Sequence, residues 1–106
     1  MITSETFDVE VLQSPLPVLL DFWAPWCGPC RMMGKVLDQL EPAYQGRLVI
    51  GRINVDDERR LMERHGITAI PTLIVYKNGQ IIAQRAGAQS KTQIDRLVHD
   101  ALESLT

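Results

Sequence analysis

"PVLLDFWAPWCGPCRMMGKVLDQL", residues 17–40, passes from a continuous apolar run through a proline- and glycine-marked bend into a helical spacing. "PVLLDFWA" (17–24) has strand length and no polar alternation, the pattern of a strand covered on both faces. Beyond it Met32, Met33, Val36, Leu37 and Leu40 recur at helical spacing. Pro29 suits a first helical turn, whose N–H groups lack partners in any case, and Pro42 is expected to end or distort the helix near Leu40. Both cysteines of the chain, Cys27 and Cys30, stand where strand gives way to helix.

The flanks extend this pattern. "TFDVEVLQ" (6–13) reads as a short amphipathic helix capped by Ser4 or Thr6. "RLVIGRINV" (47–55) is a second buried strand. "DDERRLMERHG" (56–66) reads as a helix led by Asp56, Asp57 and Glu58 and closed by Arg64 and His65, with Gly66 as its left-handed C-terminal residue. "PTLIVYK", then Asn78-Gly79, then "QIIAQRAG" is a β-hairpin signature. "SKTQIDRLVHDALESL" (90–105) puts Ile94, Leu97, Val98, Ala101 and Leu102 on one helical face, with Ser90 as cap. The order is helix, strand, helix, strand, helix, hairpin, helix. It contains a βαβ unit with an expected right-handed crossover and implies an α/β sandwich: a mixed sheet with helices on both faces.

Composition bounds the function. With 106 residues, 45% apolar and 23% charged, the chain reads as one soluble globular domain over residues 1–106. A net charge of −2 gives no electrostatic reason to expect nucleic acid or an anionic membrane as partner. "MITSETFDVEV" lacks the basic and apolar regions of a signal peptide, and the longest apolar run is too short to span a bilayer. A cytoplasmic, reducing location is expected. There a close cysteine pair is more often catalytic or metal-binding than a permanent staple.

The pair admits three readings. Structural zinc needs four ligands, and Cys-x-x-Cys supplies two; only His65 and His99 remain as nitrogen donors, far away in sequence. Two inert packed thiols are a second possibility, although Gly28 and Pro29 are poor helix-interior residues. Exchange chemistry accounts for more. Residues three apart on a helical turn have Cβ atoms roughly 5–6 Å apart, and a disulfide wants roughly 3.5–4.5 Å, so a small adjustment opens or closes the bond. Cys27 at the helix N-terminus gains from free N–H groups and the dipole, which favour the thiolate. Cys30, one turn inside, is better placed as a buried resolving thiol.

"DFWAPWCGPC" (21–30), "INVDDE" (53–58), "GITAIPTLIVYKNG" (66–79) and "AGAQSK" (86–91) occur in that order, and with them the chain resembles the thioredoxin family over nearly its whole length. The resemblance implies a thioredoxin fold with a central five-stranded mixed sheet. It implies a protein-disulfide reductase with no bound cofactor and no metal, working through a redox-active Cys27–Cys30 disulfide. Cys27 attacks a disulfide of a target protein and Cys30 resolves the mixed disulfide. The implied partners are disulfide-containing target proteins and a thioredoxin reductase, most often a flavoprotein drawing on NADPH; a monomer is expected.

Further residues carry paired readings. Asp21 interrupts an apolar strand. It is either edge-exposed, or buried and structurally satisfied, or a buried carboxyl of raised pKa that takes a proton from Cys30, the role the family proposes for its aspartate here. Arg52 stands where thioredoxins often have lysine; it either points to solvent or approaches Asp21 as a permanent cation. By resemblance Pro71 is cis and leaves the backbone of Ile70 free to pair with an extended target. Gly28 and Pro29 shape the site. Trp26 reads as an exposed aromatic that contacts targets, Trp23 as core, and Gly87 as either a loop hinge or a gap for target backbone. Lys35 stands where many thioredoxins have a helix-kinking proline, after Gly34, which softens the helix. Pro25 stiffens the approach to the site.

Two rivals stand beside the reductase. One is an oxidase or isomerase of the same superfamily, against which Gly28-Pro29 argues because many oxidising relatives carry histidine between the cysteines. The other is a non-enzymatic binding module.

Overall fold

The computed structural model describes residues 1–103. β1 (Val18–Trp23) pairs in parallel with β2 (Val49–Asn54), and α1 (Gly28–Tyr44) connects them. β1 also pairs antiparallel with β3 (Thr72–Lys77), which turns back into β4 (Gln80–Ala86), giving the order β2-β1-β3-β4. α2 (Arg59–Arg64) precedes the hairpin and α3 (Lys91–Glu103) follows it. The mixed α/β sandwich is the expected one. Residues 104–105, the end of the expected last helix, lie outside the described residues.

The period-two geometry of the strands divides the core into two layers. Val18, Leu20 and Phe22 join Ile74, Tyr76, Phe7, Val11, Leu61 and Ile67 on one face. Leu19, Leu73 and Val75 pack on the other against Met33, Leu37 and Tyr44 of α1 and Ile94, Leu97 and Val98 of α3. β1, buried through Phe22, therefore runs through the middle of the molecule. The continuous apolar run at 17–24 reflects that position.

Local chemistry sets the ends. Asn78 (φ 54°) and Gly79 (φ 77°) occupy left-handed positions in the two-residue hairpin turn. Ser90 Oγ accepts from Gln93 N–H (3.2 Å) while Gln93 Oε1 accepts from Ser90 N–H (2.8 Å), a reciprocal cap on α3.

Four details differ from the sequence reading. Among the described residues the sheet has four strands, not five. Ile2 N–H donates to Arg52 C=O (2.8 Å), but the chain then turns at Thr3, leaving too short a stretch for a ladder beside β2. Residues 8–12 form a wide helical turn, with Gln13 N–H bonding Asp8 C=O (2.9 Å); Thr3 and Thr6 cap its approach reciprocally, and Ser4 instead donates to Glu58 (2.8 and 2.9 Å). α1 continues through Pro42 to Tyr44. A proline in the last turn forfeits one bond, to the exposed Asp38, and buried Tyr44 anchors the end by donating to Asp95 (2.8 Å). α2 begins at Arg59, because Asp56, Asp57 and Glu58 N–H groups are taken by a turn on Asn54.

Candidate active site

α1 begins beyond the carboxyl end of β1, and its first residues carry the sulfurs. Cys27 is the N-cap, in extended conformation (φ −89°, ψ 110°), and Pro29 sits in the first turn. Cys27 and Cys30 are disulfide-bonded with Cα atoms 5.2 Å apart. Cys30 N–H donates to Cys27 Sγ at 3.2 Å, so the cap position that usually holds an oxygen holds sulfur. The same N–H, together with the helix dipole, stabilises an anion at that atom once the bond is reduced. Cys27 retains 6% exposure and Cys30 none, which makes the first sulfur the accessible one.

Asp21 is fully buried on β1. Arg52, its register partner on β2, donates from Nε to Asp21 Oδ2 at 3.2 Å, so of the two orientations left open for Arg52 the inward one is observed. Asp21 Oδ1 has no hydrogen-bond partner among the described residues. Burial pushes the Asp21 pKa up to about 6, against the pull of the Arg52 charge and hydrogen bond. Arg52 Cζ also lies 4.6 Å from the Trp23 ring centroid, which makes Trp23 half core and half platform for the cation.

The loop before β3 holds two more of the residues singled out from the sequence. The Ile70–Pro71 peptide is cis. Ile70 packs against the cluster that holds Cys27 and Cys30. Gly87, at φ +87°, donates its N–H to Pro71 C=O (2.8 Å), which ties the end of β4 to the loop before β3. Trp26 is 68% exposed and its Nε1 donates to both oxygens of Asp56 (3.0 and 3.2 Å). Gly28 is half-buried, Pro29 and Pro25 are exposed, and Pro25 C=O accepts from Arg31 Nη1 (3.4 Å). Lys35 is exposed on an unbroken α1.

His65 and His99 have other employment. His65 Nδ1 lies 2.7 Å from Leu61 C=O and Nε2 lies 2.8 Å from the Tyr76 hydroxyl. A carbonyl only accepts, so Nδ1 carries the proton and Nε2 accepts from Tyr76. The His99 ring packs edge-on to Tyr44, centroids 5.9 Å apart.

Sequence reasoning missed two contributors. It read Asp56 as a helix-leading acid, where the structure makes it the anchor of Trp26. It gave Gly34 only a softening role, yet a Cβ built there would stand 2.8 Å from Arg52 Nη2. A glycine in mid-helix, costing about 0.8–1.0 kcal/mol relative to alanine, was the available signal.

A sequence model of the Thioredoxin family matches residues 1–100. Thioredoxin of Haemophilus influenzae is 45% identical over 98 residues, spanning 92% of this chain and 92% of that protein. Thioredoxin 1 of Nostoc is 42% identical over 101 residues, 95% of this chain and 94% of that protein. Thioredoxin of Chlorobaculum thiosulfatiphilum is 40% identical over 98 residues, 92% and 91% of the two chains. With the WCGPC stretch closed into a disulfide at the start of α1, the chain belongs to the thioredoxin family and is a thiol–disulfide oxidoreductase.

Proposed function

We propose that this protein reduces disulfides in other proteins with Cys27 as nucleophile and Cys30 as resolving thiol. The Cys27 thiolate attacks one sulfur of a target disulfide, and the other target sulfur leaves as a thiolate. Cys30 loses its proton and attacks Cys27 Sγ, the second target sulfur leaves, and two electrons have passed to the target while Cys27–Cys30 is oxidised. The observation that carries this division of labour is the capping contact from Cys30 N–H to the more accessible Cys27 sulfur.

Asp21 takes the Cys30 proton, directly or through a water. Its burial, an Oδ1 with no partner among the described residues and a pKa near 6 support a group that is ionised yet basic at neutral pH. Arg52 sets the charge beside it. Trp26, Ile70, Pro71 and Gly87 form the rim that receives an extended target segment, pairing with the Ile70 backbone, while Gly28 and Pro29 shape the turn between the sulfurs.

Thioredoxins generally work with disulfide-containing proteins and a thioredoxin reductase. For this chain the reading includes a flavoprotein reductase drawing on NADPH, a cytoplasmic location where that supply exists, and a monomer that leaves the disulfide face open. Among the described residues no helix is long and apolar enough to cross a membrane.

The test is insulin-disulfide reduction with NADPH and a thioredoxin reductase. Wild type turns over, Cys27→Ser is inactive, and Cys30→Ser accumulates the mixed disulfide through Cys27. Equal turnover by either variant overturns the assignment.

A further inference from the structure

Gly34 is buried in the middle of α1, and no left-handed backbone angle calls for glycine there. What occupies the space of its missing side chain is Arg52. A Cβ on residue 34 would stand 2.8 Å from Nη2 and 3.3 Å from both Cζ and Nη1. The guanidinium is also held over the Trp23 ring (4.6 Å) and, through Nε, on Asp21 (3.2 Å). A rigid plane engaged at all three places cannot withdraw from the helix without moving Nε as well. Gly34 follows Cys30 by four residues and so lies one turn on, along the same side of α1.

We propose that Gly34 is a positioning residue: the side chain it lacks opens a notch in α1 that seats the Arg52 guanidinium against Asp21, so that positions 34 and 52 together fix a permanent cation beside the buried carboxylate. Arginine is planar, broad and always charged, whereas a lysine ammonium is compact and needs no such recess. The two positions are therefore coupled. The groups that meet Asp21 across the sheet are Arg52 on β2 and apolar Leu73 on β3, and Arg52 is the charge that acts on it. The consequence for catalysis rests on the reading of Asp21 as proton acceptor; the coupling itself does not.

The experiment is a double-mutant cycle of Gly34→Ala and Arg52→Lys, read by NMR titration of the Asp21 carboxyl carbon, by the pH profile of insulin reduction and by unfolding midpoint. Gly34→Ala displaces the guanidinium and raises the Asp21 pKa by about one pH unit, and the turnover profile moves up with it. The midpoint does not show the gain expected for alanine over glycine in a helix. In the double variant the smaller ammonium fits beside alanine, the Asp21 titration returns towards the wild-type value, and the helix gain appears. Should Gly34→Ala fail to fold, folding of the double variant supports the coupling and failure of both overturns it. An Asp21 titration unchanged in Gly34→Ala, or equally raised in the single and double variants, also overturns it. If Asp21→Asn leaves turnover untouched, the proton-acceptor reading falls while the titration still tests the notch.

Discussion

Trp26 and Asp56 face each other across 30 residues of sequence, the indole Nε1 donating to both carboxylate oxygens at 3.0 and 3.2 Å. An aromatic ring 68% exposed next to the reactive sulfur would otherwise sample several rotamers. The carboxylate fixes it in one.

Removing the anchor by Asp56→Ala frees the ring and should act on target recognition rather than on exchange. One such hydrogen bond is worth about 1 kcal/mol, so KM for insulin rises about fivefold. Reduction of a small aromatic disulfide, which needs no rim, stays at the wild-type rate. Equal losses with both substrates would contradict the assignment.

Asp21 makes stability depend on pH with an uncommon sign. Its folded pKa of about 6 lies above the ordinary 3.8, so between those values the folded state keeps a proton that the unfolded state has lost. Stability therefore falls as pH rises from about 4 through about 6. The full difference is on the order of 3 kcal/mol at neutral pH. Asp21→Asn should remove this slope and be more stable than wild type at pH 7, while its mixed disulfide resolves more slowly. Urea unfolding from pH 4 to 8 measures the first effect and a quenched exchange reaction the second.

His65 contributes the opposite slope. Burial among Phe7, Phe22 and Tyr76 lowers its pKa below 6.5, outweighing the Leu61 backbone bond, and Arg64 adds to the lowering. As pH falls below 6.5 the unfolded chain takes up a proton that the folded imidazole refuses, and stability is lost. In an Asp21→Asn background this acid-side decline is freed of the opposing Asp21 slope, and adding His65→Gln should flatten it while lowering stability at pH 8. A slope that survives both changes would assign it to another group.

Tyr44 joins the end of α1 to α3 through its hydroxyl, 2.8 Å from Asp95 Oδ1. Burial and the neighbouring carboxylate push its pKa up to about 12, so it remains a donor throughout the working range. Tyr44→Phe should cost about 1–2 kcal/mol in denaturant unfolding and leave insulin reduction unchanged.

Element order, the hairpin turn and the two-sided burial of β1 were legible because each has a local signature: Ser90 as the cap of the last helix, Asn78-Gly79, and the unbroken run at 17–24. Pro42 was misread because a helix-breaking rule weighs one lost hydrogen bond and cannot see Tyr44 held from α3. The start of α2 was misread because Asn54, upstream of the acids, claims their N–H groups first. At the site, the sulfur pair was legible from spacing. The bond from Arg52 to Asp21 was not, because it depends on two strands lying in register, and neither was its fit to Gly34, which depends on α1 crossing above them.

Ile2 is 5% exposed, fits over Gly51 where a Cβ would stand 2.8 Å from its Cγ1, and binds the Arg52 carbonyl. Loss of this residue would thus strip a peg from the edge strand β2 and loosen the very residue that pairs with the buried acid. An affinity handle should be separated from Ile2 by a spacer, since crowding there would be felt at Arg52 and, through it, at Asp21.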